Sequence, residues 1–156
     1  MKPDINKLLD SAQSFANTYS GCNKVAVGSI LITCNLMRLY GENKSFPNCR
    51  KLGCRRIALY GEDSKNHRLP SDCRSLHSEI TVISKAAKMG ISTNGATLIV
   101  TRYPCEACAR AIVNAGIKKV YYGRKQEISE ETEKIFKSSN VEFLHVRNWT
   151  YDDVER

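Results

Sequence analysis

Apolar positions along the chain fall into two rhythms. Ile5, Leu8, Leu9, Ala12, Phe15, Ala16 and Tyr19 recur at helical spacing, so residues 4–19 predict an amphipathic helix with Asp4 as its cap. "KVAVGSILIT" and "NLMRLYG" predict two strands joined by a short turn at Cys34 and Asn35. Residues 42–73 break both rhythms: polar, with scattered Gly, Pro and Asn and three cysteines, they predict a long functional or pinned loop. Leu76, Ile80, Ile83 and Ala87 then restore a helix over 75–89, stopped at Gly90. "ATLIVT" predicts a buried strand, 106–115 a helix ended by Gly116, and "KKVYYG" another strand. "SEETEKIFKSS" predicts a helix capped by Ser129, and "VEFLHV" a last strand. The tail, 147–156, is polar and is expected to be loosely ordered. Strands alternating with helices imply a three-layer α/β/α domain around a mixed, mostly parallel sheet of five strands. One domain over 1–156 is expected, with 42–73 as an insertion.

Composition narrows the class. No apolar run approaches the ~20 residues of a membrane helix. "MKPDINKLLD" places charges where a signal peptide carries an apolar stretch, so a cytoplasmic location is expected. Seven cysteines, an odd number, then point to reduced thiols used for metal or packing rather than to disulfides. A net charge of +8 suits phosphate-bearing ligands, from nucleotides to nucleic acid. Without a stripe of Arg or Lys interleaved with aromatics it reads as a solvated face, and nucleic acid is not the expected partner.

The chemistry lies in two short motifs taken together. His77 and Glu79 stand in "LHSEI" at the start of a predicted helix, and Cys105 and Cys108 in "PCEAC" at the start of another, with a strand between. The pattern H-x-E…P-C-x-x-C is the signature of zinc-dependent base deaminases. His77, Cys105 and Cys108 supply three ligands for Zn2+ and leave a fourth position for water. Both cysteines lie at a helix N-terminus, where thiolates are favoured. Glu79 is within reach of that water as a general acid/base without being a ligand. A redox pair would need neither His77 nor Glu79. A closed structural zinc would need a fourth protein ligand, for which Cys73 is nearest in sequence.

These stretches resemble the cytidine/deoxycytidylate deaminase superfamily, and most closely its dCMP deaminases. "GATLIVTRYPCEACARAIVNAGIKKVYYG" is similar to the second zinc motif of that family, and "SLHSEI" to its H-A-E motif. "KVAVGSILIT…YGEN" is similar to its first hairpin and G-x-N turn, and "FPNCRKLGC…SDCRSLH" to a cysteine-bearing insertion. The likeness runs from about Gly21 to Val146. It implies hydrolytic deamination of dCMP to dUMP and ammonia, supplying dUMP for dTMP synthesis, with His77, Cys105 and Cys108 on zinc and Glu79 moving protons. It also implies that Asn43 contacts the sugar, the other reading being an ordinary turn asparagine, that Tyr103 faces the substrate pocket, the other reading being an aromatic packed at a strand end, and that the chain forms a homo-oligomer (dimer, tetramer or hexamer). Cys22, Cys49, Cys54 and Cys73 lie where some members hold a second, structural zinc, the other reading being isolated buried thiols. Lys85 and Lys88 are the candidate phosphate contacts. Ser78 replaces the usual Ala of the motif and Thr81 the usual Asn, so the substrate stays open. Another cytosine or adenine substrate (single-stranded nucleic acid, tRNA or a free nucleoside) or a silent zinc-stabilised interaction module are the alternatives.

Overall fold

The computed structural model describes residues 3–61, 72–125 and 128–151. Parts of the insertion and of the tail therefore lie outside the described residues, at 62–71 and 152–156. The first helix, α1 (Ile5–Tyr19), starts where Asp4 Oδ1 accepts the backbone N–H groups of Asn6 and Lys7 at 3.1 and 3.3 Å. Those donors have no partner inside the helix, which is why an aspartate ahead of the apolar pattern marks the start. Strands β1 (Gly28–Ile32) and β2 (Arg38–Glu42) form an antiparallel hairpin closed at Leu36, whose φ is 64°.

The central sheet has the order β2-β1-β5-β6-β7, where β5 is Thr97–Arg102, β6 is Lys119–Arg124 and β7 is Glu142–His145. β1 pairs antiparallel with both β2 and β5, while β5, β6 and β7 pair in parallel. β1 alone thus runs against the other four, which is the mixed, mostly parallel sheet that the alternation implies. Parallel neighbours need a crossover, and α5 (Glu106–Asn114) and α6 (Glu130–Ser138) supply them.

Alternation along the strands builds two cores. Ile30 and Ile99 face α1, with Leu8, Leu9 and Ala12. Leu31, Leu98, Val100 and Val120 face the other way, against Val82 of α4 (Ser78–Lys88), Ile112 of α5 and Phe136 of α6. The result is the expected α/β/α layering. A Cβ on Gly28 would run into the backbone carbonyl of Ala12, so α1 lies directly on β1 there.

The insertion carries more structure than its composition announces. β3 (Lys44–Ser45) pairs antiparallel with β4 (Ser75–Leu76), and two short helices, α2 (Cys49–Leu52) and α3 (Arg55–Tyr60), lie between. Two-residue strands and one-turn helices carry no periodicity to read. The tail expectation fails for residues 147–151. Trp149 is 6% exposed, its ring fills the space that Gly123 leaves, and Arg124 lies over the rings of Trp149 and Tyr151. Asn17 Nδ2 donates to the Tyr151 hydroxyl at 2.6 Å. No helix among the described residues is long and apolar enough to cross a membrane.

Candidate active site

His77, Cys105 and Cys108 are delivered by two helix starts. His77 is the N-cap of α4 and Cys105 that of α5, both with extended backbone and neither with its side chain spent on capping. Cys108 follows in the first turn of α5, buried, while His77 and Cys105 are open to solvent. His77 Nδ1 lies 3.5 Å from Cys105 Sγ and 3.4 Å from Cys108 Sγ, and the three donor atoms all fall within 4.8 Å of one another. Zinc bonds of about 2.0–2.3 Å at tetrahedral angles set neighbouring donors roughly 3.3–3.8 Å apart. Both separations from His77 fall in that range, and the donor types are those zinc takes.

The protons on these groups follow from their contacts. The Cys108 thiol donates to Cys105, which pulls the Cys105 pKa down to about 3 and pushes that of Cys108 up. The hydrogen bond to Cys105 raises His77, with burial and the nearby charge of Arg56 opposing it. Glu79, in the first turn of α4 and 4% exposed, is raised by burial. Ser78 Oγ donates to Glu79 Oε2 at 3.2 Å. A buried carboxylate thus stands beside a three-donor cage that opens to solvent on its His77 and Cys105 side.

The zinc-binding region model of cytidine and deoxycytidylate deaminases matches residues 2–124. The chain belongs to this deaminase family. It is 30% identical over 126 residues to ComE operon protein 2 of Bacillus subtilis, covering 78% of this chain and 60% of that protein. It is 31% identical over 110 residues to the deoxycytidylate deaminase of Enterobacteria phage T2, covering 69% and 58%. The chain thus spans a little over half the length of the curated relatives it matches. Its structure is similar to that of the dCMP deaminase from cyanophage S-TIM5 in complex with dCMP and dUMP (TM-score 0.67, 26% identity, covering 94% of this chain and 99% of that one).

The other residues singled out in the sequence have partners of their own. Asn43 is bonded through both ends of its amide: Val27 N donates to Oδ1 at 2.9 Å and Nδ2 donates to Val25 O at 3.0 Å. Its side chain holds the segment that leads into β1. Tyr103 is buried at the end of β5. Its hydroxyl meets Ser129 O and Glu133 Oε1, both at 3.2 Å, and its ring packs on Tyr122 and Phe143. Lys85 Nζ donates to Tyr40 O, lies 3.8 Å from Glu42 Oε2 and sits over the Phe15 ring. Lys88 ends the same helix, roughly 15 Å along its axis from the His77 end at 1.5 Å per residue.

Cys22, Cys49, Cys54 and Cys73 do not gather as a second cage. Among the described residues, the group of three or more metal-ligating side chains with donors within 4.8 Å is the His77 set. The segments that carry Cys22 and Cys49 are joined by polar contacts: Ser45 Oγ donates to Gly21 O at 2.8 Å, and Asn23 Nδ2 to Cys49 O at 2.9 Å.

Two features escaped the sequence. Arg56 of α3 carries its charge close enough to His77 to oppose protonation there. Its distance of 21 residues from the motif, inside a polar segment, left no signal. Thr81, where the family has Asn, is 5% exposed, and among the described residues its hydroxyl has no hydrogen-bond partner.

Proposed function

We propose that the chain hydrolyses dCMP to dUMP and ammonia. The observation that carries this reading is the buried carboxylate of Glu79 beside the solvent-open cage of His77, Cys105 and Cys108. The phage relatives named as deoxycytidylate deaminases, and the cyanophage structure with dCMP and dUMP, support the choice of nucleotide.

Bound by the three donors, zinc supplies Lewis acidity and brings the pKa of water toward neutrality. Glu79 takes a proton from the attacking water and passes it to N3 of the ring, which makes C4 more electrophilic. The C4–O bond forms, Glu79 then takes the second proton from the new C4 hydroxyl and gives it to the amine, and the C4–N bond breaks to leave the C4 carbonyl and ammonia. Burial raises the proton affinity of Glu79, which suits a group that must both accept and return a proton. Asn43 holds the loop beside the first hairpin, and Arg56, whose charge is felt at His77, is the cation we assign to the substrate phosphate. Exposed Phe46, Leu52 and Leu59 on the insertion support assembly into a homo-oligomer. A free nucleotide substrate supports a cytoplasmic location.

The test is ammonia release from dCMP, CMP, deoxycytidine and a single-stranded oligonucleotide, with zinc content measured alongside. Preferred turnover of dCMP with one zinc per chain is expected. Turnover of the oligonucleotide with silence toward mononucleotides would favour a polynucleotide deaminase, and silence toward all four a binding module.

A further inference from the structure

The residue between His77 and Glu79 is a serine where the motif usually holds alanine, and it is wholly buried. Both of its polar ends are engaged. Its hydroxyl meets Glu79 Oε2 at 3.2 Å, and its carbonyl accepts from Ser29 Oγ of β1 at 2.9 Å. The sheet comes this close because β2 carries Gly41: a Cβ there would lie 2.6 Å from Ser78 O and 2.7 Å from Ser29 Oγ. The first turn of α4 is therefore pinned to two strands at the peptide that precedes Glu79, and the same residue reaches forward to the carboxylate.

We propose that Ser78 is a positioning residue for Glu79, holding one carboxylate oxygen so that the other faces the reacting water. Packing alone does not call for the hydroxyl, since the family's usual alanine does without it. A serine in a helix ordinarily bonds a backbone group nearby. Here it spends its donor on the side chain that follows. A glutamate has three side-chain torsions, and a fixed acceptor removes the choice of which oxygen points where. The long 3.2 Å contact has room to tighten when a substrate fills the pocket.

The proposal rests on the deaminase reading of Glu79, and the experiment separates the two. Ser78→Ala is expected to lower kcat roughly tenfold at unchanged KM and unchanged zinc content. In a Glu79→Gln background the same change is expected to have no further effect, because the hydroxyl acts through the carboxylate. A readout without turnover is the 13Cδ resonance of Glu79 in the zinc-loaded, glutamate-labelled protein, assigned by its loss in Glu79→Gln. It is expected to move in Ser78→Ala. An unmoved resonance with unchanged kcat overturns the proposal, as does an equal loss of rate in both backgrounds, which marks a packing role. A moved resonance in a protein silent toward every cytosine substrate overturns the deaminase reading and supports the positioning contact.

Discussion

Trp149 Nε1 donates to Asp10 Oδ1 at 2.8 Å, tying the last described turn of the chain to α1 across 139 residues of sequence. Trp149 is the single tryptophan. Trp149→Ala is expected to cost about 3–5 kcal/mol of unfolding free energy, and Asp10→Ala roughly 1–2 kcal/mol. Urea denaturation measures both. In Asp10→Ala the tryptophan emission should shift to the red as the indole is released. An unshifted spectrum with unchanged stability would show the tail contact to be idle.

Glu79→Gln keeps the shape of the side chain and removes its ability to take a proton. Zinc content and thermal midpoint are expected to stay close to wild type while kcat falls by about 10²–10⁴. Turnover near the wild-type rate would remove Glu79 from the proton path.

Metal loading must displace protons. In the metal-free chain Cys105 is already a thiolate, with a pKa of about 3, while Cys108 holds its proton and His77 titrates above its usual 6.5. Zinc needs both thiolates and a neutral imidazole, so near pH 6.5 about two protons should leave per zinc bound. Apparent affinity should therefore fall as pH drops through the raised His77 pKa. Calorimetry in buffers of different ionisation enthalpy counts the protons. A pH-independent affinity would contradict these assignments.

Arg56 gives the substrate phosphate a direct test. Arg56→Ala is expected to raise KM for dCMP about tenfold, the loss of one charge-assisted contact, and to leave KM for deoxycytidine unchanged. Equal effects on both substrates would move Arg56 away from the phosphate. The same variant should lift the His77 pKa further, since a nearby positive charge opposes its protonation.

What the sequence showed and hid divides along one physical line. α1, the sheet strands and the helix starts at His77 and Cys105 rest on local rules, namely periodicity, capping and motif spacing, and all are where those rules put them. Elements too short to have a period, β3, β4, α2 and α3, left no trace. The side chains whose surroundings the sequence left open depend on partners distant in sequence. Tyr103 finds Glu133, Lys85 finds Tyr40 and Glu42, and Trp149 finds Asp10. Each has the same composition in a loop, in a pocket or in a core, and only the fold decides among these.

The two-residue pairing of β3 with β4 has a consequence for how this chain can change. β4 ends at Leu76, so the next residue is the imidazole ligand, and β3 begins directly after Asn43. Register between Lys44 and Leu76 holds the two ends of the insertion together whatever lies between them. Doubling the length of a flexible loop costs only about 0.6 kcal/mol in closure. The intervening stretch is thus free to lengthen, shorten or be rewritten over generations while His77 keeps its aim, which makes it the natural ground for divergence in substrate choice and assembly.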